Sequence, residues 1–71
     1  MMFETIMMGL RMKKGINTSE FYDRFNVKLT DNYGEVIAKH IENGNLQLTD
    51  GYLVTTTKGM HILNDILVDF L

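Results

Sequence analysis

His40 and His61 are the two imidazoles of this sequence, and with the carboxylates they are its candidates for acid–base or metal chemistry. His61 and Asp65 stand four residues apart. That spacing puts both on one face of a helix and suits an oriented imidazole or two metal ligands. A metal centre needs a third ligand, and the spacing around them supplies none. His40 falls on the apolar stripe of a helical pattern, the usual place of a core or boundary histidine. Glu4, Glu20 and Asp23 lack the pairing that general acid–base catalysis uses, and capping and solvation account for them. With no Cys there is no thiolate zinc site, no cysteine nucleophile, no disulfide framework and no cysteine-held iron–sulfur cluster. The six glycines stand singly, so there is no phosphate-cradling loop. No catalytic, cofactor-binding or metal-ligating residue is therefore assigned, and the chain alone is not expected to be an enzyme.

A different kind of chemistry is concentrated at the start. Five of the six methionines fall in residues 1–12. Phe3, Ile6, Met7 and Leu10 make a helical stripe from Phe3 to Met12, while Met2, Met8 and Met12 lie off it. A helix apolar around most of its circumference is normally covered on more than one side. Methionine packs adaptably on irregular surfaces, so Met2, Ile6, Met8 and Met12 are candidates for docking against another domain. Arg11, Lys13 and Lys14 follow beside Gly15. As a solvated loop they would offset the negative end of the helix; as a site they would meet an anionic ligand, a substrate or an acidic surface.

The elements that position these residues are marked along the chain. Asn17 is suited to cap a second helix, with Glu20 reaching back and Ile16 and Phe21 at the spacing of a hydrophobic staple. Phe21, Tyr22 and Phe25 give that helix its apolar side, and it should end near Asn26. A third helix fits Asp31 to Asn43, with Tyr33, Val36, Ile37, His40 and Ile41 on its stripe and Gly44 closing it in the left-handed conformation. Gly34 weakens its first turn. The period then changes: Leu46 to Thr49, then Asp50-Gly51, then Tyr52 to Thr55 reads as a hairpin with both turn residues at positive φ. A last helix fits Thr57 to Phe70, capped by Thr56, with Met60, Leu63, Leu67 and Phe70 as its stripe. The order predicts an α+β, mainly helical, winged-helix-like domain over residues 1–71: three helices, a hairpin wing and a C-terminal helix.

A winged helix suggests DNA binding, and charge weighs against it. Phosphate contacts need Lys or Arg. The third helix carries Asp31, Glu35 and Glu42 against Lys39, and Leu46 to Thr56 contains no basic residue. Five of the seven basic residues precede residue 29, and the net charge is −2. Nucleic acid is therefore not expected as a partner. Seventy-one residues allow one small domain with a marginal core. Neither a signal peptide nor a membrane span is expected, because Glu4 interrupts the first apolar stretch and Asn64, Asp65 and Asp69 interrupt the last. A cytoplasmic location is the resulting expectation.

Several motifs also resemble one family. Glu4-Thr5-Ile6-Met7-Met8-Gly9-Leu10-Arg11, followed by Lys14-Gly15-Ile16, resembles the E…M-x-G-L-R…x-G-[IVL] opening of the C-terminal domain of oxygen-independent coproporphyrinogen III oxidases and their haem-chaperone relatives, in the radical SAM superfamily. Phe21 and Phe25 resemble its F…F-G pair, with Asn26 where Gly is more usual. Asn43-Gly44-Asn45-Leu46 resembles its x-G-L-[IVL] turn, with Asn45 in place of the first Leu. Thr56-Thr57-Lys58-Gly59 resembles its L-T-x-x-G helix start, with Thr55 in place of Leu, and Asn64 its recurrent Asn in the last helix. The resemblance implies an accessory domain that packs on a preceding radical SAM barrel and helps enclose it. That barrel, absent from this chain, would carry C-x-x-x-C-x-x-C, a [4Fe–4S] cluster and S-adenosylmethionine. The parent would be a radical SAM oxidoreductase acting on coproporphyrinogen III or a non-enzymatic haem chaperone, meeting porphyrin or haem. The alternative expectation is a stand-alone winged-helix module that binds protein or DNA.

Overall fold

A computed structural model describes residues 2–71. The chain forms α1 (Met2–Arg11), β1 (Ile16–Asn17), α2 (Thr18–Phe25), α3 (Leu29–Glu42), β2 (Leu46–Thr49), β3 (Tyr52–Thr55), α4 (Thr57–Met60) and α5 (Leu63–Asp69). It is a mainly helical α+β fold, with a three-stranded antiparallel sheet in the order β1-β3-β2.

The caps form where the local chemistry asks for them. Asn17 accepts the Glu20 N–H at 3.0 Å, and Thr56 Oγ1 accepts the Gly59 N–H at 3.0 Å. Asn26 ends α2 in the left-handed conformation at φ 58°, its N–H donating to the Tyr22 carbonyl. Asp50 and Gly51 turn the hairpin at φ 51° and 80°. The register sets Leu46 against Thr55 and Leu48 against Leu53. Side chains alternate along a strand, so Leu46, Leu53 and Thr55 share the covered face and are all buried.

Four sequence expectations need correction. The first helix runs from Met2 rather than Phe3, and Met12 lies just beyond its end. Ile16 and Asn17 do more than staple and cap: they pair with Leu53 and Tyr52 as a third strand. Two residues carry no alternation for a sequence to display. The third helix begins at Leu29, two residues early, because burying Leu29 in the core pulls the helix start forward. It bends at Tyr33 (φ −128°, ψ 24°), whose ring packs on Phe70 at 5.4 Å.

The last helix is broken in two. Ile62 leaves helical geometry at φ −129°, ψ 30°. His61 and Ile62 donate to the carbonyls of Lys58 and Gly59, the tightened bonding of a helix end. The break turns α5 in a new direction. Ile66, Leu67 and Phe70 are buried, while Met60, expected on the buried stripe, is 38% exposed. Gly59 accounts for the position of the first piece. A Cβ there would run into the Asn45 backbone carbonyl and would lie 2.9 Å from Thr55 Cγ2.

The core is one cluster drawn from every major element: Ile6, Leu10, Ile16, Phe21, Leu29, Ile37, Leu46, Leu53, Ile66, Leu67 and Phe70. Gly59→Ala is expected to destabilise the fold by about 2 kcal/mol or more, since the obstructing group is backbone and cannot yield easily. Gly34→Ala meets nothing within 4 Å of the new methyl. It should stabilise by about 0.5–1 kcal/mol. Urea unfolding midpoints of the two variants test both signs.

Candidate functional site

The inner side of α1 is core. Ile6 and Leu10 are fully buried, and Met2, Phe3 and Met7 pack partly against the same cluster. Residues turn by 100° along a helix, so Met8 emerges on the far side of α1, and Met12 follows just beyond the helix end. They are 65% and 61% exposed. Of the four expected docking residues, Ile6 is therefore withdrawn: it sits at the centre of the core and presents nothing outward. Met2 is half-buried against the core, and its sulfur accepts from Asn32 Nδ2 at 3.7 Å.

Arg11, Lys13 and Lys14 are all exposed, and the structure separates them. Lys14 extends over the Tyr52 ring, its Nζ 5.5 Å from the centroid. Tyr52 Oη in turn accepts from Asn17 Nδ2 at 3.2 Å. Lys14 thus belongs to the β1–β3 edge. Arg11 and Lys13 have no ion pair or side-chain hydrogen bond among the described residues. They stand beside Met12 with their charges unmatched.

His40 is buried, as its place on the apolar stripe predicts, and it has partners the sequence did not disclose. Its Nε2 lies 2.8 Å from Asp69 Oδ2, and its Nδ1 lies 3.0 Å from Asn45 Nδ2. The Asn45 amide donates to Nδ1, so the ring proton sits on Nε2 and is given to Asp69. Lys39 reaches the same carboxylate oxygen at 3.2 Å. The hydrogen bond from His40, and then that from Lys39, hold the Asp69 carboxyl below its ordinary value of 3.8. Asn45 Oδ1 is buried with no hydrogen-bond partner among the described residues. Asn45 is nevertheless tied by its backbone: its N–H donates to the His40 carbonyl, and its own carbonyl accepts from Thr56. The network joins the end of α3, the start of β2 and the end of α5. Both ring nitrogens are engaged and the ring is covered, so this histidine holds structure together.

Other sequence candidates stand at the surface, His61 and Asp65 on one shallow hollow. The break at Ile62 takes His61 and Asp65 off a common helix, and both lie exposed on the surface. No group of three His, Cys, Asp or Glu among the described residues could hold a metal ion. On α3 Asp31, Glu35, Lys39 and Glu42 are all exposed, and Lys39 is paired with Asp69. A surface hollow of about 460 Å³ lies between α2, the start of α3 and the hairpin, floored by Leu29 and walled by Tyr22 and Leu48. Asp23 and Lys28 stand at its edge and offset one another in charge.

A family model described as the HemN C-terminal domain matches residues 1–62. The chain belongs to this family. No curated protein and no solved structure matches it. The features that mark the HemN C-terminal domain in this sequence are structural. Gly9 lets α1 lie on Ile16, since a Cβ there would run into the Ile16 side chain. Gly15, at φ 85°, leaves room for the Leu53 carbonyl, and Gly59 for that of Asn45. Leu10, between the two motif glycines, is fully buried. The motif closes the corner where α1, β1 and β3 meet.

The three departures from the family pattern also have physical reasons. Asn26 replaces Gly at a left-handed cap, the position where Asn is the next most tolerant residue. Asn45 supplies the amide that meets His40. Thr55 is buried, and its hydroxyl donates to the Leu10 carbonyl at 2.8 Å, an acceptor at the end of α1 that a Leu could not satisfy. Thr55→Val should cost about 1–2 kcal/mol, the loss of a buried hydrogen bond at constant volume, measured by chemical denaturation.

The carboxyl of Asp69 is held low in the folded chain, so its contribution to stability is fully present above its ordinary value. That contribution disappears as pH falls through the lowered one. The melting temperature of the native protein should therefore drop more steeply on acidification below about pH 4 than that of Asp69→Asn, and the two slopes should be alike near neutrality.

Proposed function

We propose that this chain is the C-terminal accessory domain of an oxygen-independent coproporphyrinogen III oxidase-like protein, working in porphyrin synthesis or haem trafficking. It packs on the radical SAM barrel of the same polypeptide and helps close that barrel over its substrate. The observation that carries this reading is the family match over residues 1–62, together with a motif whose glycines serve backbone packing. A domain of this kind acts by excluding water and positioning its neighbour, the part that lids take in many enzymes.

The cluster and S-adenosylmethionine belong in this reading to the preceding domain. This chain has no cysteine with which to ligate iron, and its imidazole at position 40 is already committed to Asp69 and Asn45. No step of the reaction is assigned to its residues. What it supplies is a folded body whose described helices are all too short to cross a membrane.

The test begins with the reading frame ahead of residue 1, which should encode a barrel with C-x-x-x-C-x-x-C. Removing residues 2–71 from the full-length protein should then leave reconstitution of the cluster intact. It should lower coproporphyrinogen turnover, or haem transfer, by about tenfold or more through lost enclosure. A gene with no such domain, or a truncated protein with undiminished activity, would overturn the proposal.

A further inference from the structure

We infer that the outward pair Met8 and Met12, with Arg11 and Lys13 beside it, is the face on which the preceding domain of the same polypeptide docks. That domain meets it with an apolar recess edged by carboxylates. The inference rests on the reading of this chain as the C-terminal part of a longer protein and names the surface that such a protein would use.

Position is the first ground. α1 is the first element, so a preceding domain is joined at its N-terminal end. At 1.5 Å of rise per residue, Met8 lies about 9 Å from Met2 along the axis, and the helix ends about 14 Å away at Arg11, with Met12 next in the chain. A body tethered at Met2 meets that face at high local concentration.

Chemistry is the second. The core needs only the inner side of α1, which Ile6, Leu10 and the half-buried Met2, Phe3 and Met7 already provide. Two further long thioethers, more than half exposed, add nothing to that core. They suit an irregular partner surface, because an unbranched thioether repacks readily.

Charge is the third. Arg11 and Lys13 are exposed and unmatched among the described residues, and both lie next to Met12. A rim of carboxylates on the partner would complement them and fix the orientation of docking. The other exposed apolar places lack this combination. The hollow beside Tyr22 and Leu48 has Asp23 and Lys28 in balance, and Val68 and Leu71 flank an acidic residue at the far end of the chain. A lipid surface is a poorer occupant. A helix that lies in a membrane inserts a broad apolar face, whereas the broad apolar face of α1 is already buried in this domain.

The experiment is methionine oxidation by hydrogen peroxide on the full-length protein, native and in urea, read residue by residue by mass spectrometry. Met60, 38% exposed on α4, serves as the internal reference. Met8 and Met12 are expected to oxidise at least about tenfold more slowly in the native protein than in the unfolded one, with Met60 within about threefold of its unfolded rate. Arg11→Glu with Lys13→Glu should speed oxidation of Met8 and Met12 by about threefold or more, and so should 1 M NaCl on the unaltered protein. The salt arm holds even if the double variant folds poorly.

Oxidation of Met8 and Met12 at close to the unfolded rate would overturn the inference. So would protection that appears only with phosphatidylserine vesicles, or only as protein concentration rises. Protection indifferent to salt and to charge reversal would overturn the carboxylate rim. The failures remain distinct. A gene without an upstream radical SAM domain sinks the functional reading, whereas a protein that has the domain and shields Met60 in place of Met8 and Met12 sinks only the choice of face.

Discussion

Backbone in this fold must approach neighbouring backbone or side chains at places where no Cβ fits. Gly15 faces the Leu53 carbonyl, Gly59 faces that of Asn45, and Gly9 lies against the Ile16 side chain. These contacts seat α1 on the short strand β1, draw the loop after α1 onto β3, and dock α4 on the turn before β2. A domain of this length cannot gather a thick hydrophobic core, and close approach is how it brings eleven apolar side chains into one cluster. Leu53, fully buried on the central strand, shows the result: its side chain fills the core while its carbonyl lies against Gly15. Enlarging any of these glycines would push apart the elements that cover Leu53.

The polar interior follows from the same economy. His40, Asn45 and Thr55 are buried, and each spans a join between elements. Thr55 ties β3 to the end of α1, and His40 links α3 to Asn45 and to Asp69 at the end of α5. A buried polar group is costly unless it is bonded, and once bonded it admits few alternative arrangements. Where this chain departs from its family's usual residues, at Asn26, Asn45 and Thr55, the new side chain meets a specific local demand. One demand is a left-handed cap, another an imidazole nitrogen, the third a helix-end carbonyl.

Several of the chain's polar groups and glycines are taken up by the fold. The imidazole of His40 is enclosed, and Gly9, Gly15 and Gly59 serve contact between elements. What remains is surface. The inner side of α1 makes the core, while Met8 on its outer side, Arg11 at its end and Met12 and Lys13 just beyond are exposed.

Local chemistry made much of this legible in the sequence. Asn17, Thr56, Asn26, Gly44 and the Asp50-Gly51 turn each act through their own backbone and near neighbours, so their places could be read residue by residue, and the family-like motifs stood among them with departures at Asn26, Asn45 and Thr55. Other features depended on partners distant in the chain. Ile16 and Asn17 became a strand because β3 was there to pair with them. The last helix broke because Gly59 had to meet Asn45 while Ile66, Leu67 and Phe70 had to reach the core. The stripe separated Ile6 from Met8 in the sequence, but both were candidates for docking until packing buried Ile6 completely. Which side of a helix is covered, and which ring nitrogen finds a carboxylate 29 residues away, is decided by contacts between distant segments. Sequence periodicity records that a helix has an apolar side, and only the assembled neighbours determine how far that side extends.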